Sequence, residues 1–181
     1  MICLVYGPSA SGKSAWAENR ACELACGAPL AYFATMQGAG KEAQARIEKH
    51  LSQRAGKGFV TYETPTLASI DSAQVDAEAC VLLDDIGNLV ANEMFGTSEG
   101  RQSCASEELA ETALSTLRKL ARRTQNLVVV ADAVGEAGWR GGEPTLSWIV
   151  CCGAACCKLA EVANEVVEVR SGIATHIKDS I

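Results

Sequence analysis

The sequence lacks the features that would place the protein in a membrane, outside the cell or on nucleic acid. No apolar run approaches the roughly 18 residues of a membrane span, and no basic leader with a cleavage site precedes the apolar segment that starts at Ile2. Basic residues are the minority, since 16 Lys and Arg against 22 Asp and Glu give a net charge of -6. That charge repels a phosphate backbone. We therefore expect a cytoplasmic protein with no membrane span and no nucleic-acid partner.

Internal repeats and low-complexity segments are absent as well. At 181 residues the chain has the usual size of one domain and is long enough to bury a full core. We therefore predict a single nucleotide-binding domain over residues 1–181.

The nine cysteines lack the paired C-x-x-C spacing and the nearby histidines of a zinc site. Most are scattered through apolar patterns, where a small apolar residue suits a core. The exception is CCGAACC at 151–157, in which Cys152 and Cys156 would share one face of a helix. A metal or redox pair there is the alternative. We favour a buried face of small residues, because a cytosolic compartment disfavours structural disulfides.

The chain alternates short apolar strands with helical stretches, which is typical of a parallel sheet covered on both faces. The last strands would form a hairpin joined near Ser171 and Gly172. We predict strands at residues 2–6, 30–34, 59–64, 80–85 and 127–132 and in the pair within 166–178, and helices at 15–27, 41–54, 106–123 and 144–163.

The segment GPSASGKS has the G-x-x-x-x-G-K-S pattern of a phosphate-binding loop and lies between a predicted strand and a predicted helix. Its glycines let the backbone wrap around an anion, and the N–H groups at the helix start favour negative charge. Lys13 can reach the β- and γ-phosphates, and Ser14 can ligate Mg²⁺. A turn that binds nothing is the alternative, which the flanking strand and helix disfavour. The predicted nucleotide-binding residues are Gly7, Pro8, Ser9, Ala10, Ser11, Gly12, Lys13 and Ser14.

With this loop the fold class becomes α/β: a P-loop NTPase (RecA-like) with a mainly parallel sheet, helices on both faces and a C-terminal β-hairpin. In such sheets ligands collect at the carboxyl ends of the strands, where Asp84, Asp85 and Asp132 fall. Asp84 follows an apolar run and has the position of a Walker B acid, able to hold the Mg²⁺ that Ser14 also contacts. Either carboxylate of the Asp84-Asp85 pair could instead cap the following turn or helix, and the role of Asp85 stays open.

Two histidines are present, and His50 lies in the basic, polar stretch RIEKH, with Arg54 and Lys57 close behind. Neutral imidazole is a competent nucleophile, and nearby cations would bind phosphates. A histidine on a polar helix is more often a solvated surface residue, so these residues alone do not decide its role. His176, in the last predicted strand, is expected to be structural.

Several segments, taken in order, resemble one known family. They are GPSASGKSAWAE, YFATMQ (32–37), ARIEKH (45–50), VLLDDIGNLVANEMF (81–95), VVVADAVG (128–135) and SGIATHIK (171–178). The family is the bifunctional adenosylcobinamide kinase/adenosylcobinamide-phosphate guanylyltransferase family, and the resemblance runs with gaps over nearly the whole chain. The P-loop is generic. The order of the A-T-x-Q step, the R-I-x-x-H segment and the L-L-acid strand followed by V-x-N-x-x-F is specific.

The resemblance implies a two-stage activity in cobalamin assembly. A nucleoside triphosphate, ATP or GTP, first phosphorylates the aminopropanol hydroxyl of adenosylcobinamide. His50 then attacks the α-phosphate of GTP, expels pyrophosphate and carries GMP to adenosylcobinamide phosphate, which gives adenosylcobinamide-GDP. The resemblance further implies Mg²⁺, held by Ser14 and Asp84, and a homotrimer. Beyond the loop, the catalytic and nucleotide-binding residues that it implies are His50, Thr35, Arg46, Lys49, Glu63 and Asp84.

Two departures from the family pattern stand out. Asp132-Ala133-Val134-Gly135 replaces the usual Asn-Glu-Val-Gly, and Cys156-Cys157 stand where an Asn-Gln pair is usual. Substrate contacts, trimer packing or one of the two activities could therefore differ. Two rival functions stay open: a P-loop small-molecule kinase without a covalent adduct, and a non-enzymatic nucleotide-binding module, which the lack of an N-K-x-D motif disfavours.

Overall fold

A seven-stranded sheet with helices on both faces forms the body of the protein in the computed structural model. The structure describes residues 1–37, 48, 52, 54–96, 106–134 and 142–179. The strands and helices within these residues are β1 Ile2–Gly7, α1 Lys13–Ala25, β2 Leu30–Ala34, β3 Phe59–Glu63, α2 Leu67–Ser72, β4 Cys80–Asp84, α3 Ile86–Phe95, α4 Ser106–Arg123, β5 Asn126–Asp132, α5 Glu143–Val162, β6 Glu165–Arg170 and β7 Ile173–Lys178.

The strand order is β3-β2-β4-β5-β1-β6-β7, and all neighbours pair in parallel except β6 and β7, which form the antiparallel hairpin. β5 lies between β1 and β4, with Gly7 opposite Asp132 and Leu83 opposite Val129. Because parallel strands end at the same edge of a sheet, the chain segments that follow β1, β5 and β4 lie side by side.

Alternate residues of each inner strand face opposite sides of the sheet, and both sides are covered. Cys3 and Val5 of β1 pack with α1 residues such as Ala21, whereas Leu4 packs with the side that carries α2, α3, α4 and α5. Burial on both faces explains why these strands are continuous apolar runs rather than alternating ones.

The predicted strands and the terminal hairpin are confirmed, each within one or two residues at its ends. The predicted helix at 106–123 is also confirmed, and its stripe of Leu109, Ala113, Leu117 and Leu120 is buried. Two helices were missed. α2 begins with a capping box between Thr66 and Ser69, and α3 directly follows β4.

Helix α1 begins at Lys13, two residues before the predicted start, because Gly12 adopts the left-handed conformation that precedes the helix. Gly27, predicted to end the helix, is left-handed as expected, with a φ of 93°. Of the helix predicted at 41–54, residues 48, 52 and 54 are helical, and the others lie outside the described residues.

Within the described part of the chain, one helix, α5, is long and apolar enough by length and composition alone to cross a membrane, with a mean hydropathy of 1.4. The CCGAACC segment gives α5 this character, because it combines apolar composition with unbroken helix. A single such helix is weak evidence for a span. α5 packs on α3 and α4 and buries Cys151, Cys152, Ala155 and Leu159.

The cysteines only partly match their predicted role as core residues. Cys3, Cys80, Cys151 and Cys152 are buried, and Cys156 is partly buried against the same core. Cys26 and Cys157 are exposed, in contrast to the expected packing role. The predicted face of small residues is thus buried at Cys152 and partly buried at Cys156.

Leu117 tests the packing between α4 and the rest of the core. Its side chain is fully buried, so we expect Leu117→Ala to lower the free energy of unfolding by about 2–5 kcal/mol through lost burial and a residual cavity. Val60→Ala is the control, because Val60 is 59% exposed on the edge strand β3, and it should change stability by no more than about 1 kcal/mol. Urea unfolding measures both values. Equal losses would contradict the packing described here.

Candidate functional site

The phosphate-binding loop connects β1 to α1 through a tight turn. The Ser11 amide donates to the Pro8 carbonyl at 3.2 Å, and the Gly12 carbonyl accepts from the Trp16 amide at 3.0 Å. Ala10 and Gly12 are left-handed, with φ values of 59° and 95°. A left-handed step next to a helix N-terminus is the backbone geometry of an anion-binding concavity, so the loop has the shape that the motif predicted.

The C-terminal hairpin supports this loop through contacts that the sequence did not reveal. A side chain at Gly7 would place its Cβ 2.2 Å from the Val169 carbonyl oxygen of β6, so only glycine allows this approach. At the hairpin turn, the Gly172 amide donates to the Ser11 carbonyl at 2.8 Å. The hairpin therefore fixes the loop from the side opposite β5.

Lys13 is buried at the end of the loop, with its residue only 7% exposed. Its ammonium donates to the Pro8 carbonyl at 3.2 Å and lies 2.5 Å from Oδ1 of Asp132, at the carboxyl end of β5. The positive charge of the loop is thus held beside a carboxylate on the neighbouring strand.

Ser14 and Asp84 meet at the same edge. The Ser14 hydroxyl lies 3.5 Å from Oδ1 of Asp84, and the Tyr32 hydroxyl donates to Oδ2 of the same carboxylate at 3.1 Å. Burial, and next the Asp84 charge, raise the pKa of Tyr32, so Tyr32 stays a protonated donor. A hydroxyl and a carboxylate are hard oxygen donors of the kind that Mg²⁺ prefers, so this pair fits the predicted metal.

Asp85 caps α3. Its Oδ1 accepts from the Asn88 amide at 2.6 Å, and its Oδ2 accepts from the Asn88 side chain at 3.2 Å. Burial, and then the neighbouring carboxylates of Asp84 and Asp132, raise the pKa of Asp85 to about 7. The choice that the sequence left open is thereby decided for Asp85, which serves as a helix cap.

Thr35 holds the backbone where β4 meets α3. Its buried hydroxyl donates to the Asp85 carbonyl at 2.7 Å and accepts from the Asp85 amide at 2.8 Å. Glu63 is exposed at the end of β3, an edge strand that three strands separate from β1. The nucleotide contacts expected for Thr35 and Glu63 stay predictions.

A buried ionic cluster lies beneath Tyr32. The Arg54 guanidinium carbon is 3.3 Å from the centroid of the Tyr32 ring, a cation–π contact. Glu18 of α1, fully buried, pairs with Lys57 at 2.7 Å and with Arg54 at 4.0 Å. Arg54 and Lys57 were expected to bind phosphates. The structure instead directs them to Glu18 and Tyr32, because a buried carboxylate needs cationic partners.

The remaining predicted residues divide into two groups. Arg46, Lys49 and His50 lie outside the described residues, so their roles stay predictions. His176 lies on β7, with Nδ1 2.9 Å from Asp179 and 3.5 Å from Glu165, a carboxylate that Arg20 also holds at 2.9 Å. These contacts join the C-terminal strand to β6 and α1, as expected of a structural histidine.

Comparison with known proteins adds a family to this geometry. The profile of the CobU family, described as cobinamide kinase / cobinamide phosphate guanyltransferase, matches residues 3–177. The chain belongs to the CobU family. Membership makes it a transferase of cobalamin biosynthesis, as the resemblance implied. A comparison with curated protein sequences found no match.

Solved structures show the same fold at low identity. The ATPase domain of G40P is 12% identical with a TM-score of 0.54, and the similarity covers 92% of this chain and 68% of that one. The flagellar accessory protein FlaH from Methanocaldococcus jannaschii is 12% identical with a TM-score of 0.52, covering 98% and 78% of the two chains. The predicted P-loop NTPase fold, with its mainly parallel sheet and terminal hairpin, is confirmed.

In this CobU chain, the contact between Tyr32 and Asp84 yields a test of the predicted metal site. Tyr32→Phe removes the hydroxyl that orients Asp84, so we expect the Mg²⁺ concentration for half-maximal cobinamide kinase activity to rise about tenfold, the equivalent of one hydrogen bond to a charged group. Tyr62→Phe is the matched control, because the Tyr62 ring packs on Phe33. A Mg²⁺ titration of both variants decides. Identical curves for Tyr32→Phe and the native protein would contradict this role.

Proposed function

We propose that this CobU-family protein phosphorylates adenosylcobinamide with a nucleoside triphosphate. It then transfers GMP from GTP, through a guanylyl-histidine at His50, to adenosylcobinamide phosphate and so forms adenosylcobinamide-GDP. The observation that carries the proposal is the convergence of Lys13, Ser14 and Asp84 at one sheet edge in a chain whose residues 3–177 match the family.

For the kinase step, each residue has a role that its position supports. The backbone of the loop binds the phosphates, and Lys13 exchanges Asp132 for the β- and γ-phosphates when the nucleotide enters. Ser14 and Asp84 would hold Mg²⁺, which supplies neutralisation of the phosphate charge. The acceptor hydroxyl forms a bond to the γ-phosphorus, and the bond to the β–γ bridging oxygen breaks.

For the guanylyl step, the His50 nitrogen forms a bond to the α-phosphorus of GTP as pyrophosphate leaves. A phosphate oxygen of adenosylcobinamide phosphate then attacks that phosphorus, and the N–P bond breaks. A histidine carrier divides one displacement between two large anions into two steps. The sequence segment ARIEKH and the family membership support this role.

The surroundings of the enzyme are part of the proposal. We place the protein in the cytoplasm as a single domain, with ATP and GTP as substrates, a corrinoid as the partner molecule and no nucleic acid bound. We also propose a homo-oligomer, a trimer. Exposed apolar side chains support subunit contacts, among them Leu146 and Val150 on α5 and Ile173 and Ile177 on β7.

Labelling of the enzyme with GTP tests the proposal. Label from α-labelled GTP should remain on the denatured native protein, and label from γ-labelled GTP should not. The adduct should be lost in mild acid and kept in alkali, as expected of a phosphoramidate. His50→Ala should lose the label and the transfer of GMP, yet still phosphorylate adenosylcobinamide.

His176→Ala is the matched control, since His176 pairs with Asp179 on the terminal strand. It should keep the label. Retention of α-label by His50→Ala would overturn the role of His50, because the adduct would then lie on another residue. Absence of α-label from the native protein would replace the proposal with that of a P-loop kinase that lacks guanylyltransferase activity.

A further inference from the structure

Among the residues that the structure describes, three aspartates lie at the strand ends beside the phosphate-binding loop, and two of them have partners that define their roles. Asp84 receives the Tyr32 hydroxyl and faces Ser14. Both carboxylate oxygens of Asp85 accept hydrogen bonds from Asn88 at the start of α3. The third, Asp132, forms no part of the metal pair or of the helix cap.

Asp132 occupies a distinct place in the sheet. It ends β5, opposite Gly7 of β1, and β5 lies between the loop strand and the strand that ends in Asp84. Its Oδ1 is 2.5 Å from the Lys13 ammonium, and its side chain is 30% exposed. Because Lys13 is the residue expected to reach the terminal phosphates, the carboxylate would border the γ-phosphate. Its Oδ1, which faces Lys13, is buried, while the side chain as a whole is partly exposed.

Asp132 stands where the family pattern has Asn, and Ala133 stands where it has Glu, so the acid of this segment is shifted by one residue in this chain. We infer that the shifted carboxylate, Asp132, is the general base of the kinase step, an inference that rests on the function proposed above. When the triphosphate enters, the Lys13 ammonium moves to the phosphates, and Asp132 loses its counterion. The acceptor hydroxyl then gives its proton to the Asp132 carboxylate while its oxygen bonds to the γ-phosphorus. The bond to the β–γ bridging oxygen breaks, and its electron pair leaves with the nucleoside diphosphate.

A purely electrostatic role for Asp132 makes the opposite prediction. A carboxylate that only neutralises Lys13 opposes nucleotide binding, so its removal would tighten binding and leave the chemical step unchanged. A general base acts in the chemical step, so its removal lowers kcat and leaves binding as tight or tighter. Measurements of kcat and of nucleotide Kd therefore distinguish the two roles.

The experiment measures adenosylcobinamide phosphorylation and triphosphate binding for three variants of the full chain. Asp132→Asn should lower kcat by about 10²- to 10⁴-fold, the usual contribution of a general base, while its nucleotide Kd stays equal or falls. Asp132→Glu, which keeps the carboxylate, should recover part of kcat. Asp71→Asn, the matched control, alters an exposed aspartate paired with Lys119 at 3.7 Å and should match the native enzyme.

Nucleotide binding by Asp132→Asn also shows that the variant is folded. A kcat within about threefold of the native value, or a weak Asp132→Glu variant no better than Asp132→Asn, would overturn the inference. Failure of the native protein itself to phosphorylate adenosylcobinamide would overturn the proposed function and this inference with it. The native enzyme thus tests the function, and the Asp132 variants test the base.

Discussion

The parallel pairing of β1, β5 and β4 is the constraint on which the site depends. It places the phosphate-binding loop, Asp132 and Asp84 at three neighbouring strand ends, although they are far apart in sequence. Burial of the sheet on both faces stabilises this pairing, since the strands contribute to two apolar cores at once. A slip of one residue in any of these strands would turn its buried side chains to the wrong face and misplace the polar residue at its end.

The acidic side chains outnumber the one buried lysine at this edge. Lys13 faces Asp132, while Asp84 and Asp85 lie close by, and burial first, then the charges of Asp84 and Asp132, raise the pKa of Asp85. A magnesium nucleotide brings both a cation and phosphates, so Asp84 and Asp132 can take different roles when it binds. In the function proposed above, Asp84 would hold the metal and Lys13 would bind the phosphates, so Asp132 would become available to the acceptor.

Support for the site comes from buried polar contacts beneath it. Tyr32 connects Asp84 to Arg54, and Glu18 connects Arg54 and Lys57 to the helix that follows the loop. Removal of one charged residue from such a cluster lowers protein stability more than replacement of all its charged residues by apolar ones, because it leaves a buried charge uncompensated. One cluster therefore joins Asp84, the helix that follows the loop and the segment that carries Arg54 and Lys57.

The sequence by itself determined the local features. The G-x-x-x-x-G-K-S spacing between an apolar run and a helix identified the loop, and continuous apolar runs identified the strands, because both signals depend on neighbours in the chain. It did not reveal α2 or α3, whose short apolar patterns gain stability from packing and caps, nor the support that Gly172 gives to Ser11.

Only the tertiary structure decided which polar residues meet. From the sequence, Asp84 was predicted to hold Mg²⁺ and the role of Asp85 stayed open. Arg54 and Lys57 were expected to bind phosphates. In the folded protein Asp85 caps the N-terminus of α3. Lys57 pairs with Glu18, and Arg54 lies over the Tyr32 ring. The physical reason is that hydrogen bonds and ion pairs are short-range and directional, so their partners depend on where strands and helices lie in space.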